Sequence, residues 1–345
     1  MTETTAQSAR RARLRAAFFL LLTLLIGAVL IVAMTWFVVG SAPRSLPLAV
    51  AEGVAVREFV ALPGDDAYPA ALALAQDGTV YTGSYKTGAV WAIDPAGAAR
   101  EILAADEGIG SVSGLDMAAG ALYILDRVAP LDAQGAVVWR YEAGRLEAIV
   151  NIPPSRRDGL MLPDDIAVAR DGIIYISDRD PPRVLRYAPS QRRLDLFWQP
   201  DEASAAPTGL AYDSLRHALL VTDSANDAIF RVPVDAPAAS ERLFVDGDER
   251  GYGFDGIDVA ADGEVYLALL GWNRAARLQN GELVMLARDF RGASDVALDA
   301  ERARLYVTNW NQFSLGFGTS PQLPFSLNAL ELAGLELMPA GASES

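Results

Sequence analysis

Residues 165–175 read Asp-Ile-Ala-Val-Ala-Arg-Asp-Gly-Ile-Ile-Tyr. An apolar run, Ile166 to Ala169, meets Asp171-Gly172, and a second apolar run ends on Tyr175. Asp-Gly is a preferred tight hairpin turn because glycine takes positive φ without steric cost. The unit recurs at 71–81 through Asp77-Gly78 to Tyr81, and at 256–266 through Asp262-Gly263 to Tyr266. Looser copies run from Gly114-Leu115-Asp116-Met117 to Tyr123, from Gly209-Leu210-Ala211-Tyr212 to Leu220, and from Asp295-Val296-Ala297-Leu298 to Tyr306. The anchors at 81, 123, 175, 220, 266 and 306 are spaced by 42, 52, 45, 46 and 40 residues. Periods of about 40–50 residues with four strands each are propeller blades.

Alternating segments after each anchor, such as Val90-Trp91-Ala92-Ile93 and Ile229-Phe230-Arg231-Val232, suit half-buried third strands. Residues 54–62 resemble the fourth strands at 145–150 and 241–245, and Asn328-Ala329-Leu330-Glu331-Leu332 resembles a third strand. The N-terminal strand is therefore expected to complete the sixth blade, a closure that removes free sheet edges. The expected fold is all-β, a six-bladed β-propeller over 54–345, preceded by one N-terminal transmembrane helix. No segment after residue 53 shows a helical period.

Ahead of the repeats, Arg10, Arg11, Arg13 and Arg15 face only Glu3. Residues 1–40 thus carry +3 and the remainder −18 of the chain's net −15. No charge lies between Arg15 and Arg44, and Phe18 to Val39 is almost wholly apolar. At ~1.5 Å per residue that run spans ~33 Å, enough for a bilayer's hydrocarbon layer. A cleaved signal peptide has a shorter apolar region, and here the small residues Gly40-Ser41-Ala42 precede Pro43. The reading is an Arg-rich cytoplasmic stub over 1–16, an uncleaved signal anchor over 17–40, and a tether over 41–53. Trp36 and Phe37 are expected near the outer interface. The positive-inside rule then puts the propeller outside the cytoplasm, on a single-pass cell-membrane protein.

Composition narrows the chemistry. Hydrophobic residues make up 51% of the 345, so a large folded core is expected. With no cysteine, disulfides, thiolate metal sites and thiol nucleophiles are excluded. His217 is the single histidine, in the turn 213–217, and reads as a surface residue. An acidic chain repels phosphate backbones, so no nucleic-acid partner is expected.

In a propeller the innermost strands line a channel. Aligning the repeats puts Ala70, Ser113, Asp164, Thr208, Asp255 and Ser294 at one phase at the channel mouth. The next position holds Ala71, Gly114, Asp165, Gly209, Gly256 and Asp295. Asp164, Thr208 and Asp255 come from three successive blades and offer hard oxygens of the kind calcium or magnesium takes. The bland reading of such aspartates is turn capping.

Residues 68–74, 77–84 and 87–91, with Pro163-Asp164-Asp165-Ile166 and Phe254-Asp255-Gly256-Ile257, resemble the regucalcin/gluconolactonase (senescence marker protein-like) superfamily. Its relatives include paraoxonases and strictosidine-synthase-like proteins. The resemblance runs over about 54–335. It implies a divalent metal, often calcium, at the mouth, with Asp164 and Thr208 on positions where the family carries asparagine and Asp255 on its aspartate and candidate base. It also carries two departures. The family's first-blade glutamate falls on Ala70, and Ser113 falls where paraoxonases carry a catalytic histidine.

Two motifs are decoys. Gly251-Tyr252-Gly253-Phe254-Asp255-Gly256 matches a dinucleotide pattern but opens no helix. Residues 246–251 resemble a calcium loop with Arg250 at a ligand position. Trp272, Asn273, Trp310 and Asn311 follow second strands and either shape a pocket or pack between blades.

The functional expectation is a metal-dependent lactone or ester hydrolase acting on a small molecule. Asp164, Thr208 and Asp255 hold the metal, Asp255 or Asp165 activates water, and Ser113, Ser294 and Asp295 complete the mouth. The alternative is a non-catalytic propeller that has lost a complete metal site and binds a ligand or a protein partner.

Overall fold

A computed structural model describes residues 2–41, 46–130, 132–245, 251 and 253–332. It divides into two compact units, each taken by itself: 1–44 with 313–322, and 45–312 with 323–345.

The larger unit is the propeller. Four four-stranded antiparallel sheets and one five-stranded sheet follow the chain order of the repeats, and a sixth, four-stranded, joins an N-terminal strand to three late ones. Blade 1 comprises Pro69–Leu74, Val80–Ser84, Val90–Ile93 and Ala99–Leu103. The innermost strands of blades 2 to 5 are Val112–Ala118, Pro163–Val168, Pro207–Asp213 and Phe254–Val259. Blade 6 starts with Val296–Asp299, continues through Arg304–Thr308 and Ser326–Glu331, and takes Ala55–Ala61 as its fourth strand. Val56 pairs with Leu330 and Ala61 with Ser326. Phe59 from this N-terminal strand lies against the wholly buried Tyr306, ring centroids 4.7 Å apart. The blade therefore closes by packing as well as by hydrogen bonds.

Local chemistry explains the hairpins. In each Asp-Gly turn the glycine has positive φ (88° at Gly78, 82° at Gly172, 92° at Gly263). The preceding carboxylate accepts the N–H two residues on, from Thr79, Ile173 and Glu264 respectively. The second-strand anchors Tyr175, Tyr266 and Tyr306 are buried between blades.

Two details differ from the expectation. Within 41–53, Leu48–Ala49 pairs with Glu282–Arg288 and adds a fifth strand to blade 5. A six-residue helix, Gln312–Phe317, falls in the smaller unit from Phe313 on, too short for any period to reveal. The smaller unit also holds the helix Thr2–Ser41. Its segment Arg15–Met34 has mean hydropathy 2.9 and no buried residue, so its length and composition suit a membrane span. The side chains of Trp36 and Phe37, residues 246–250 and Tyr252 lie outside the described residues. The nucleotide-like glycine motif runs into the strand Phe254–Val259. His217 is exposed and bonded through Nδ1 to the Tyr212 hydroxyl at 2.7 Å.

Each innermost strand is a sheet edge whose outer backbone groups face the channel. Four carboxylates satisfy them across blade boundaries. Asp116 accepts the Val168 N–H at 2.6 Å, Asp165 that of Leu210 at 2.8 Å, Asp258 that of Leu298 at 2.7 Å, and Asp295 that of Leu72 at 2.6 Å. Asp165, Asp258 and Asp295 each also take the N–H of their own next residue. The last bridge, from Asp295 in blade 6 to Leu72 in blade 1, closes the ring at the axis. Burial pushes Asp116 and Asp258 up to about 6.

Phe59→Ala should cost about 3–5 kcal/mol, as other buried Phe→Ala changes do, and lower the thermal midpoint by circular dichroism. The raised carboxyls set a pH dependence. An aspartate near 4 unfolded and near 6 folded stabilises most below pH ~4, and that contribution is lost as pH rises through ~6. The thermal midpoint should therefore rise between pH 7 and pH 5, and Asp116→Asn should reduce that rise.

Candidate functional site

The innermost strands carry register irregularities where the site residues lie. Pairing skips between Pro163 and Ile166, between Pro207 and Leu210, and between Phe254 and Ile257. A bulge lets consecutive residues face the same way, so Asp164 and Asp165 both reach the channel. Its second position is crowded. A Cβ on Gly209 would overlap the Asp255 carbonyl, and one on Gly256 the Asp295 carboxylate.

Five of the six expected residues at the first phase line one small cavity: Ala70, Ser113, Asp164, Asp255 and Ser294. Thr208 does not. It is 2% exposed, and its hydroxyl bonds with the Thr222 hydroxyl at 2.9 Å and the Phe254 carbonyl at 3.1 Å. Ser294 donates to the Ala70 carbonyl at 2.7 Å, and so also ties blade 6 to blade 1. Asp165 and Asp295 lie in the cavity wall, with both carboxylate oxygens of each engaged by backbone N–H groups. Their place is the inter-blade bridge. The cavity measures about 30 Å³, and the channel beyond it about 310 Å³.

A second ring of residues, missed by the sequence reading, surrounds the mouth. One residue at or just past the end of each second strand makes the same backbone bond in every blade. Tyr85 N–H donates to Tyr68, Arg127 to Ser111, Arg179 to Leu162, Ser224 to Ala206, Leu270 to Gly253 and Trp310 to Gly292. Blades 6, 1, 2 and 3 thus present Trp310, Tyr85, Arg127 and Arg179 in sequence. The Tyr85 and Trp310 rings meet edge to face at 4.9 Å. Arg127 Nη1 donates to the Tyr85 hydroxyl at 2.6 Å, and Arg179 Nη1 lies 3.8 Å from an Asp164 oxygen. The residue before each arginine fixes its loop: Asp126 accepts the N–H groups of Gly110, Ser111 and Val128, and Asp178 those of Met161 and Leu162. The signal was available in the sequence as Asp-Arg at 126–127 and 178–179, at equal phase. Of the residues after second strands singled out earlier, Trp310 lines the mouth, whereas Trp272 packs against the core shared by blades 4 and 5 and Asn273 accepts the Gly292 N–H.

Asp255 has a distinct environment. Burial first, then the Asp164 charge, holds its carboxyl well above the usual range, while Arg179 pulls it down. Among the described residues no hydrogen bond to this carboxyl stabilises its charged form. Burial also raises Asp165 and Asp295, offset by their backbone bonds.

The residues present do not fit a divalent cation. Ala70 offers no ligand, the Thr208 hydroxyl is committed between strands, and the Arg179 guanidinium already stands beside Asp164 and Asp255. Among the described residues no group of three or more His, Cys, Asp or Glu is placed to hold a metal. The calcium expected at Asp164, Thr208 and Asp255 thus meets a cation from the protein itself.

Residues 117–311 match the family described as SMP-30/Gluconolactonase/LRE-like region. No curated protein sequence matches the chain. Among solved structures, a gluconolactonase from Xanthomonas campestris superposes with a TM-score of 0.61 at 17% identity, covering 85% of this chain and 96% of its own. A catalytically inactive virginiamycin B lyase from Staphylococcus aureus gives 0.57 at 14%, covering 81% and 99%. A putative gluconolactonase gives 0.56 at 18%, covering 82% and 93%. At these identities the likeness is one of fold.

Proposed function

The chain belongs to the SMP-30/gluconolactonase/LRE-like family, and we propose that it is a membrane-anchored hydrolase of small lactones or esters whose chemistry runs on Asp255 without a resident metal. The observation that carries this reading is the Asp255 carboxyl, which faces the mouth cavity unbonded, raised by burial and Asp164, beside the Arg179 guanidinium. A proton-transfer group works best when its pKa approaches the working pH. In this reading the Asp255 carboxylate takes a proton from water as the water oxygen attacks the carbonyl carbon. Arg179 offsets the charge that develops on the carbonyl oxygen. Collapse breaks the ring C–O bond, and the leaving alkoxide takes the proton from Asp255, giving a hydroxy acid. Asp165 is not the base here, because its oxygens already accept the Leu210 and Ile166 N–H groups.

The alternative, a binding propeller, is favoured by the cavity's size of about 30 Å³, which admits a small group rather than a sugar ring. A substrate would rest over the rim with its reacting group inserted.

The test is turnover of a panel of γ- and δ-lactones by the full chain in detergent. Asp255→Asn should lower kcat by ~100-fold or more, in the range of general acid–base contributions, and a chelator should leave the wild-type rate unchanged. Turnover that survives in Asp255→Asn would end the reading. Loss with chelator would restore a metal role. For topology, we place the propeller outside the cytoplasm from the +3 charge on residues 1–40. Protease added to intact cells should then digest the propeller, and its protection would reverse the orientation.

A further inference from the structure

At the mouth, two polar groups of the rim are left with capacity that the protein does not use. The Tyr85 hydroxyl accepts a hydrogen bond from Arg127 Nη1 at 2.6 Å, which leaves its own proton to donate. Burial raises this phenol, so the proton stays on at neutral pH. Behind it, Arg127 is 6% exposed, its Nε has no partner, and among the described residues no carboxylate pairs with it. A buried cation without a counter-ion is costly, and the Tyr85 hydroxyl carries its influence toward the cavity that Tyr85 lines. Arg179 stands one blade further on. Its side chain is 44% exposed, and it touches Asp164 only at 3.8 Å, beyond hydrogen-bond length. Trp310 packs against the Tyr85 ring and holds it in place.

We infer that Arg179 and the Arg127-backed hydroxyl of Tyr85 bind the carboxylate of an open-chain hydroxy acid. The inference rests on the mouth being the ligand site proposed above, and hydroxy acids are the product class of lactone opening. The size agrees: a cavity of about 30 Å³ takes a carboxylate head while the hydroxylated chain stays outside. The cavity wall also carries Asp164, Asp165, Asp255 and Asp295; Asp165 and Asp295 are turned to backbone N–H groups, and the ligand carboxylate is held on the rim by Arg179 and the Tyr85 hydroxyl, with Arg127 behind it. Guanidinium and phenol donors to a carboxylate form charge-assisted bonds, stronger than those to a neutral hydroxyl. A consequence is product inhibition, with the hydroxy acid competing for the pocket that opens the lactone. Arg127 acts through Tyr85 and is a positioning residue.

Titration calorimetry of the full chain in detergent tests this, with D-gluconate as probe and sorbitol as its neutral counterpart. Gluconate should bind at least ~10-fold more tightly than sorbitol, as expected for a charge-assisted pair. The preference should shrink with added salt. Tyr85→Phe keeps the ring packing and Arg179→Gln changes a half-exposed side chain. Each should remove most of the preference, with the far-UV circular dichroism spectrum showing that the propeller is still folded. Equal affinity for gluconate and sorbitol, or a preference that survives both substitutions, would overturn the inference. The two readings fail separately. Lactone turnover that depends on Asp255 with no gluconate preference refutes the carboxylate site alone. Gluconate binding that depends on Arg179 with no lactone turnover supports the site and removes the hydrolase.

Discussion

The constraint behind everything else is the edge of the innermost strand. Six such strands face a common channel, and each has backbone N–H groups with no partner in its own sheet. A buried unpaired N–H costs about as much as a lost hydrogen bond. Asp116, Asp165, Asp258 and Asp295 meet that demand by reaching across to the next blade. Each bridge fixes the spacing and stagger of two blades at once. Asp165 and Asp295 lie on blades 3 and 6, Asp116 and Asp258 on blades 2 and 5, so the bridges are shared out around the ring. Where blades 4 and 5 meet without such an aspartate, the link runs through carbonyls: Thr208 donates to the Phe254 carbonyl and Thr222 to the Asp255 carbonyl.

This arrangement divides the aspartates into two kinds. Those whose oxygens are committed to N–H groups are structural even though burial raises them. Asp255 sits one bulge position away from such a role, with its backbone carbonyl in the bridge and its side chain left over. The distinction is invisible in composition and depends on which of two adjacent residues the bulge turns along the strand. The rim works in the same way. Six residues at one repeat phase share one backbone hydrogen bond, yet carry tyrosine, arginine, arginine, serine, leucine and tryptophan. The fold supplies equivalent positions, and the side chains decide that one half of the mouth is cationic and aromatic.

The acidic chain thus keeps a cation where a metal was expected. Arg179 beside Asp164 and Asp255 offsets their repulsion, the service a divalent ion would otherwise perform. Ala70 brings no charge to the cavity, and Arg179 brings a positive one beside Asp164. The single lysine and the lone histidine take no part. Lys86 lies over the Tyr68 ring and His217 lies in an exposed turn.

From the sequence alone, the repeat spacing, the Asp-Gly turns and the orphan strand at 54–62 determined the six blades and their closure. These are local or periodic signals, because strand alternation and turn chemistry act over a few residues and repeat with the blade. The first ring of mouth residues was legible for the same reason, as a phase of the repeat. Only the tertiary structure decided the roles within it. It turned Thr208 into the wall, gave Asp165 and Asp295 to the bridges, left Asp255 unbonded, and brought Arg127, Arg179, Tyr85 and Trp310 around the opening. Those outcomes depend on contacts between blades, up to 225 residues apart in the chain for Tyr85 and Trp310, and no local pattern encodes which neighbour a side chain will meet across the channel.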